Sequence, residues 1–473
     1  MSASTFPPVI QGGMGAGVSG WQLARAVSRL GQLGVVSGTA LDVILARRLQ
    51  DGDPDGDARR ALAAFPDQAL ASRVTDRFFL EGGRAGGRPY RPVDKMTLRQ
   101  TAHSQGLTVV ANFVEVWLAK EGHGGLVGIN LLEKIQLATP AAILGAMLAG
   151  VDAVLMGAGV PRDIPRLLTD LAEGRGGSIG VDVHGAEHPY RVSIDPSQVL
   201  GVPVPEMRRP EFLAIVSAAV LAAYLARDES TRPDGLVVEG PLAGGHNAPP
   251  RGQLVLDDAD EPVYGPRDEV SVPQIAALGL PFWLAGAYGT PARLAEARSM
   301  GAAGVQVGTL FALCEESGMT PDLRTELLAH VFDDTLRVRT DALASPTGFP
   351  FKVAQLDGSL SDPQVYEQRT RLCDLSYLRT PYVSEGGDVG YRCPGEPVAL
   401  YARKGGDPAD TVGRACLCNA LTANVGLAQT RKDGFTEPPL VTLGSDLDSV
   451  REMCEHFGAS WHASDVIDWL VNG

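Results

Sequence analysis

The sequence predicts an α/β protein: a (β/α)8 TIM barrel with insertions in its βα loops and a C-terminal extension. Three observations lead there. Eight short apolar runs fall between residue 7 and about residue 330. Helical patterns lie between most of them, the alternation that builds parallel sheets. The two largest polar insertions both follow strands, where barrels carry their functional loops. An open doubly wound sheet suits the same alternation, and periodicity alone does not separate the two.

In chain order, VIQ (9–11) is the first strand and WQLARAVSRL the first helix. LGVVS (33–37) follows, then TVVANFVEV (108–116) and VGINLLEKIQ (127–136) as strands three and four. AVLMG (153–157), GLVVEG (235–240), FWLAG (282–286) and GVQVG (304–308) complete the eight. Each is a β-branched or aromatic run closed by glycine or polar residues. PAAILGAMLAG, FLAIVSAAVLAAYLA and PARLAEARSMG read as helices. The barrel occupies residues 1–330, with insertions at about 51–106 and 241–275. Residues 331–473 form an extension packed on it, rich in Pro, Gly and polar residues over 345–445, with helices expected near 446–458 and 464–471.

The balance of 56 acidic against 41 basic residues, −15 at pH 7, argues against nucleic acid or an anionic membrane as a partner. The uncharged apolar run over residues 212–226 is short for a membrane span. The N-terminus carries no basic and apolar leader pattern. A cytoplasmic enzyme is expected. Cys373, Cys393, Cys416 and Cys418 lie close in sequence, but C-x-C matches no familiar zinc ribbon. They are either buried thiols or a four-thiolate metal site.

The opening glycines, in VIQGGMGAGVSG, fit G-x-G-x-x-G at Gly15, Gly17 and Gly20. A dinucleotide turn also needs an acid at the end of the second strand. None stands there before Asp42. A better phosphate site lies in units seven and eight. Gly286 and Gly289 precede Thr290 as N-cap and Pro291 at the first helical position, and Gly308-Thr309 ends the next strand. In Ala243-Gly244-Gly245-His246, paired glycines admit a flat ligand and the histidine reaches it as a base. Lys134 and Gln136 share one face of the fourth strand, where the electron-rich edge of a flavin, or a neighbouring acid, would offset the lysine charge. Asn112 is polar in an apolar run and calls for a buried partner.

Together, VIQGGMGAG, VVEGPLAGGH and PFWLAGAYG…GAAGVQVGTLFALCEES resemble the nitronate monooxygenase family, formerly 2-nitropropane dioxygenases, over about residues 7–320. The resemblance implies an FMN-dependent oxidoreductase on a TIM barrel. It places Gly13 and Met14 against the flavin ring, with Asn112 as the asparagine of the third strand. Gly244, Gly286 and Ala287 join the flavin contacts, and Gln306, Val307, Gly308 and Thr309 hold the phosphate; Lys134 is added to the flavin contacts from its place on the fourth strand alone. His246 matches the base that removes the proton α to the nitro group. Two positions depart from the family. Glu239 stands where glutamine is usual, and Ala287 replaces a glycine, a change that backbone contacts survive if φ is negative. SPTGFPFKV, GRACLCNALTANVGLAQ and EPPLVTLGSDL resemble the long PfaD-like branch, which includes enoyl reductases of fatty acid and polyketide synthases.

The resemblance thus implies oxidation of an alkylnitronate with O2. The alternative is reduction of an enoyl thioester with NAD(P)H as electron donor and an acyl carrier or synthase as partner. A third reading is a non-catalytic flavin-binding synthase partner. No metal is expected at the site.

Overall fold

A computed structural model describes residues 6–473. Eight parallel strands form its centre: β1 (Val9–Gln11), β2 (Gly34–Ser37), β3 (Val127–Leu132), β4 (Ala153–Gly157), β5 (Glu211–Val216), β6 (Gly235–Glu239), β7 (Phe282–Ala285) and β8 (Gly304–Val307). Their order around the sheet is β1-β8-β7-β6-β5-β4-β3-β2. Leu33 N donates to Val9 O at 3.1 Å and Gln11 N to Leu33 O at 3.0 Å, which joins β1 to the entry of β2. The sheet therefore closes, and the open-sheet alternative falls.

The period of two along each strand sorts the core. Ile10, Val35, Leu155, Leu213, Val237 and Trp283 fill the barrel interior. Val9, Val36, Val154, Phe212, Leu236 and Leu284 face the surrounding helices. At the N-terminal end of the strands Trp283 donates its indole N–H to Pro7 O at 3.0 Å, under the edge of the Phe6 ring. That end is packed shut, so the ligand-binding end is the opposite one.

Two elements differ from the sequence reading. Residues 108–116 are not a strand but the middle of the helix Ala102–Lys120. Thr101 caps it in a capping box with Ser104. The helix packs between Leu41–Gln50 and Thr139–Leu148 and is buried on nearly every side, so it has no polar stripe to betray its period. Its Glu115 pairs with Arg48 at 2.7 Å and accepts from Trp21 N at 2.8 Å, at the start of the helix Trp21–Arg29. Conversely, residues 212–226 are not one helix. They are β5, a break at Ser217-Ala218, and the helix Ala219–Ala226. One false strand and one missed strand cancel, which leaves the count at eight.

Beyond residue 330 the chain returns to the barrel repeatedly. Val338–Asp341 and Phe351–Ala354 form an antiparallel pair. The last two helices are Asp448–Phe457 and Ala463–Asn472. The buried Arg47 guanidinium, on the helix after β2, donates to Thr422 Oγ1 and Leu427 O. Tyr90 and Gln429 exchange two hydrogen bonds, and Trp461 donates to Leu310 O. Asp42 accepts from the Tyr377 hydroxyl, so this acid braces the extension rather than a ribose. The neighbouring Cys393 draws the Cys373 thiol down to about 7, while burial raises the Cys416 and Cys418 thiols. Among the described residues no group of three or more His, Cys, Asp or Glu is placed to hold a metal ion. None of their helices is long and apolar enough to cross a membrane.

Candidate active site

A cleft of about 260 Å³ opens at the C-terminal ends of the strands. Its first rim is Gly12-Gly13-Met14, directly after β1. Gln11 is wholly buried and fixes this rim: its amide donates to Ser19 Oγ at 3.0 Å and Val35 O at 3.2 Å, and accepts from Val35 N at 3.0 Å. Ser19 Oγ in turn accepts from Met14 N at 2.9 Å and donates to Gly12 O at 3.0 Å. Gly13 is needed for close approach, because a Cβ there would lie 2.3 Å from Asn130 Cβ. Gly15 and Gly17 turn the chain at φ +59 and +85, in the left-handed region.

The adjoining rim is built by β7 and β8. Thr290 caps the helix Pro291–Ser299, its hydroxyl accepting from Arg293 N at 3.3 Å. Gly308 precedes the short helix Thr309–Ala312. Among the described residues, the backbone N–H groups of Ala287, Gly308 and Thr309 have no acceptor. The extension completes this end: Gly444 N donates to Thr309 Oγ1 at 3.0 Å, and Ser449, in the first turn of Asp448–Phe457, lines the same pocket. Asp446 also lines it and adds a carboxylate.

Two titratable groups face the cleft from β6 and the loop after it. His246 Nε2 is 2.7 Å from Ser345 Oγ, and the imidazole meets the Phe351 ring edge-on at 4.8 Å. Protein around it pushes the imidazole down to about 4, so the ring is neutral at pH 7. Glu239 shares the inward parity of Val237 and aims into the barrel mouth. Burial, with no charged neighbour contributing, raises its carboxyl to about 8. The carboxyl is then protonated and uncharged at pH 7.

Gly13, Met14, Glu239, Gly244, His246, Gly286, Ala287 and residues 306–309 all line the one cleft. Asn112 and Lys134 do not. Asn112 lies on Ala102–Lys120 and donates to Thr108 O one turn back at 2.9 Å. The third strand is 127–132, and its cleft-facing asparagine is Asn130, which donates to Gly13 O at 3.2 Å. Lys134 lies past the end of β3, paired with Glu133 at 3.3 Å and set over the Phe349 ring. Ala287 has φ +65, so the condition of a negative φ fails and the alanine sits in a glycine conformation.

Sequence reasoning missed Ser345, although it opens the quoted SPTGFPFKV. It also missed the apolar part of the wall, made by Leu378, Leu417 and Leu421 of the extension with Leu132, Ile135 and Phe351. The amide oxygens of Asn130 and Gln306 are buried without partners beside the rims. Such orphans call for a donor from a bound molecule. Orphaned acceptors on Asn130 and Gln306, with unpaired N–H groups at residues 287, 308 and 309, fit a planar heterocycle carrying a phosphate.

A family model described as nitronate monooxygenase matches residues 197–342. That segment holds β5 to β8 and, with them, Glu239, His246 and the whole 286–309 rim. A curated relative, the (3aS,4S,5R,7aS)-5-hydroxy-7a-methyl-1-oxo-octahydro-1H-indene-4-carboxyl-CoA dehydrogenase of Rhodococcus jostii (strain RHA1), is 28% identical over 145 residues, 31% of this chain and 35% of the relative. The match thus spans about a third of that protein's length. Among solved structures, FabK from Thermotoga maritima aligns at TM-score 0.48 and 15% identity, over 98% of this chain and 92% of its own. Nitroalkane oxidase from Streptomyces ansochromogenes aligns at TM-score 0.43 and 15% identity, over 98% and 95%.

Proposed function

We propose that the protein is an FMN-dependent oxidoreductase that acts on a small substrate held between the flavin ring and His246. The observation that carries this reading is convergence: unpaired N–H groups at residues 287, 308 and 309, orphaned amide oxygens on Asn130 and Gln306, and His246 all meet in one cleft. When bound, FMN supplies the acceptance and return of a hydride equivalent. Gly12, Gly13 and Met14 would bring the backbone against the ring, Asn130 and Gln306 would meet its N–H and carbonyl edge, and the 286–309 rim would hold the phosphate. Ser345 fixes the imidazole, and neutral His246 accepts the proton α to a nitro group. The family-model match over residues 197–342 supports nitronate oxidation as the reaction.

Reduction of an enoyl thioester is the second reading, with NAD(P)H as electron donor and an acyl carrier or synthase as partner. The apolar wall of Leu378, Leu417 and Leu421 favours it, because an aliphatic chain fits that surface and a small nitronate leaves it bare. One anaerobic experiment tests both. The purified protein is expected to be yellow with FMN, and an alkylnitronate is expected to bleach it faster than NADPH. Rapid bleaching by NADPH with no response to the nitronate transfers the assignment to the reductase. Absence of bound flavin overturns both.

A further inference from the structure

Glu239 lies between two cavities. On one side it lines the main cleft. On the other it lines a second cavity of about 70 Å³, walled by Ser217, Ala218, Asn247, Arg251, Tyr264 and Asp268. That cavity reaches the surface beside the exposed Ala248, Pro249 and Arg251. Its volume admits a few water molecules, at about 10–15 Å³ of probe volume for each. The charged groups of its wall are already committed. Arg251 donates to Arg267 O at 2.5 Å and Ser217 O at 2.9 Å, Asp268 accepts from the Arg251 and Gly265 N–H groups, and Tyr264 donates to Ala248 O. Two groups are not committed. Asn247 Oδ1 is buried with no partner, although its amide N donates to Ala243 O. The Glu239 carboxyl has no hydrogen-bond or ion-pair partner among the described residues. An unpaired acid and an orphaned acceptor on one small polar cavity are the places that ordered water fills.

We propose that Glu239 relays protons between solvent water in this second cavity and the molecule bound in the main cleft. In the direction of substrate protonation, the carboxyl O–H bond breaks and its proton joins an anionic atom of the bound molecule. That atom's electron pair forms the new bond. The carboxylate then takes a proton from a cavity water that exchanges with bulk. Glu239 passes no electrons, so the step needs no oxidant or reductant. Burial keeps the carboxyl protonated through neutral pH, the state a donor must hold. The identity of the bound molecule rests on the flavin reading; the relay rests on the two cavities.

Infrared difference titration of the full-length protein tests it without any turnover. The wild type is expected to show a buried protonated carboxyl that ionises near pH 8, and Glu239→Gln is expected to lack that band. Glu437, also raised, serves as the internal control because it stays in both. Ala248→Trp, at the exposed mouth of the second cavity, is expected to slow hydrogen–deuterium exchange of the Glu239 band at least tenfold. Bound flavin and the His246 side of the cleft stay unchanged. A Glu239 carboxyl ionised by pH 6, or exchange unaffected by Ala248→Trp, overturns the relay. Protein that binds no flavin but shows the titrating band overturns the functional reading and leaves the relay standing; bound flavin without the band does the reverse.

Discussion

The two walls of the cleft are built by opposite means. The barrel wall is backbone and amide: Gly12-Gly13 on one rim, the 286–309 turns on the other, Asn130 and Gln306 between them. Beyond Gly444, Asp446 and Ser449, which complete the 286–309 rim, the extension wall is apolar side chain: Leu378, Leu417 and Leu421, with Tyr377 braced on Asp42. Directional hydrogen-bonding groups held by strand ends recognise one fixed group. An apolar surface sets only size and polarity, so it selects a class of molecule. On the proposed reading the barrel wall would take the cofactor and the extension wall would set substrate preference, with His246 at the seam, its ring held by Ser345 of the extension.

The largest expected effect removes the group at the seam. His246→Ala is expected to keep flavin, read by absorbance of the purified protein, and to lose turnover by roughly 10²–10⁴-fold, the usual worth of a general acid–base residue. Ser345→Ala is expected to lose less, with kcat reduced and flavin retained. Gly13→Val strikes the barrel wall alone. Its Cβ enters the space of the Asn130 side chain, so flavin affinity is expected to fall at least tenfold, measured by ultrafiltration and fluorescence, and the same clash is expected to lower the melting temperature. Leu421→Asp strikes the extension wall alone. KM for a long-chain substrate is expected to rise at least tenfold, with flavin affinity unchanged; loss of flavin instead would erase the division between walls.

Most of the barrel wall was legible, because its signals are local: glycine after a strand, Thr-Pro at a helix start, histidine after paired glycines. The extension wall was not. Nothing local in LCNALTA says that Leu417 and Leu421 face a cleft made by strands more than a hundred residues earlier. The errors in the fold share that cause. Residues 108–116 are β-branched and apolar because the helix carrying them is buried all round, and tertiary packing overrides local propensity there. Moving that strand displaced the site with it, so Asn112 stood in for Asn130. The fourth strand was drawn four residues too long, which made Lys134 an inward residue instead of a rim residue paired with Glu133.

The pH dependence of stability separates the same two sides. Glu239 is raised from 4.5 to about 8, so the folded state holds its proton more tightly than the unfolded chain. Its stabilising contribution is complete below about pH 4.5 and is lost as pH rises towards 8. His246 is lowered from 6.5 to about 4, so its contribution is lost as pH falls from about 6.5 to 4. Melting temperature against pH is expected to be flattened between about pH 4.5 and 8 by Glu239→Gln. Glu437 of the extension, raised to about 7, keeps part of that slope. His246→Ala is expected to flatten only the acid side.

The smallest effect is the sharpest test of a wall made of backbone. Ala287 holds φ +65, where an L-residue costs about 1–2 kcal/mol relative to glycine. Ala287→Gly removes that strain and adds freedom to the unfolded chain, worth about 0.5–1 kcal/mol in the other direction. The net expectation is a gain of up to about 1 kcal/mol, a rise in melting temperature on the order of 1–2 °C for a chain of this size. The N–H stays where the turn puts it, so flavin affinity is expected to hold within about twofold. Leu421→Ala, by contrast, leaves the backbone and removes the surface, and is expected to change substrate preference without touching the flavin. If Ala287→Gly shifted substrate preference more than Leu421→Ala, the methyl group at position 287 would be part of the substrate surface, and the barrel wall would have to be counted as side chain too.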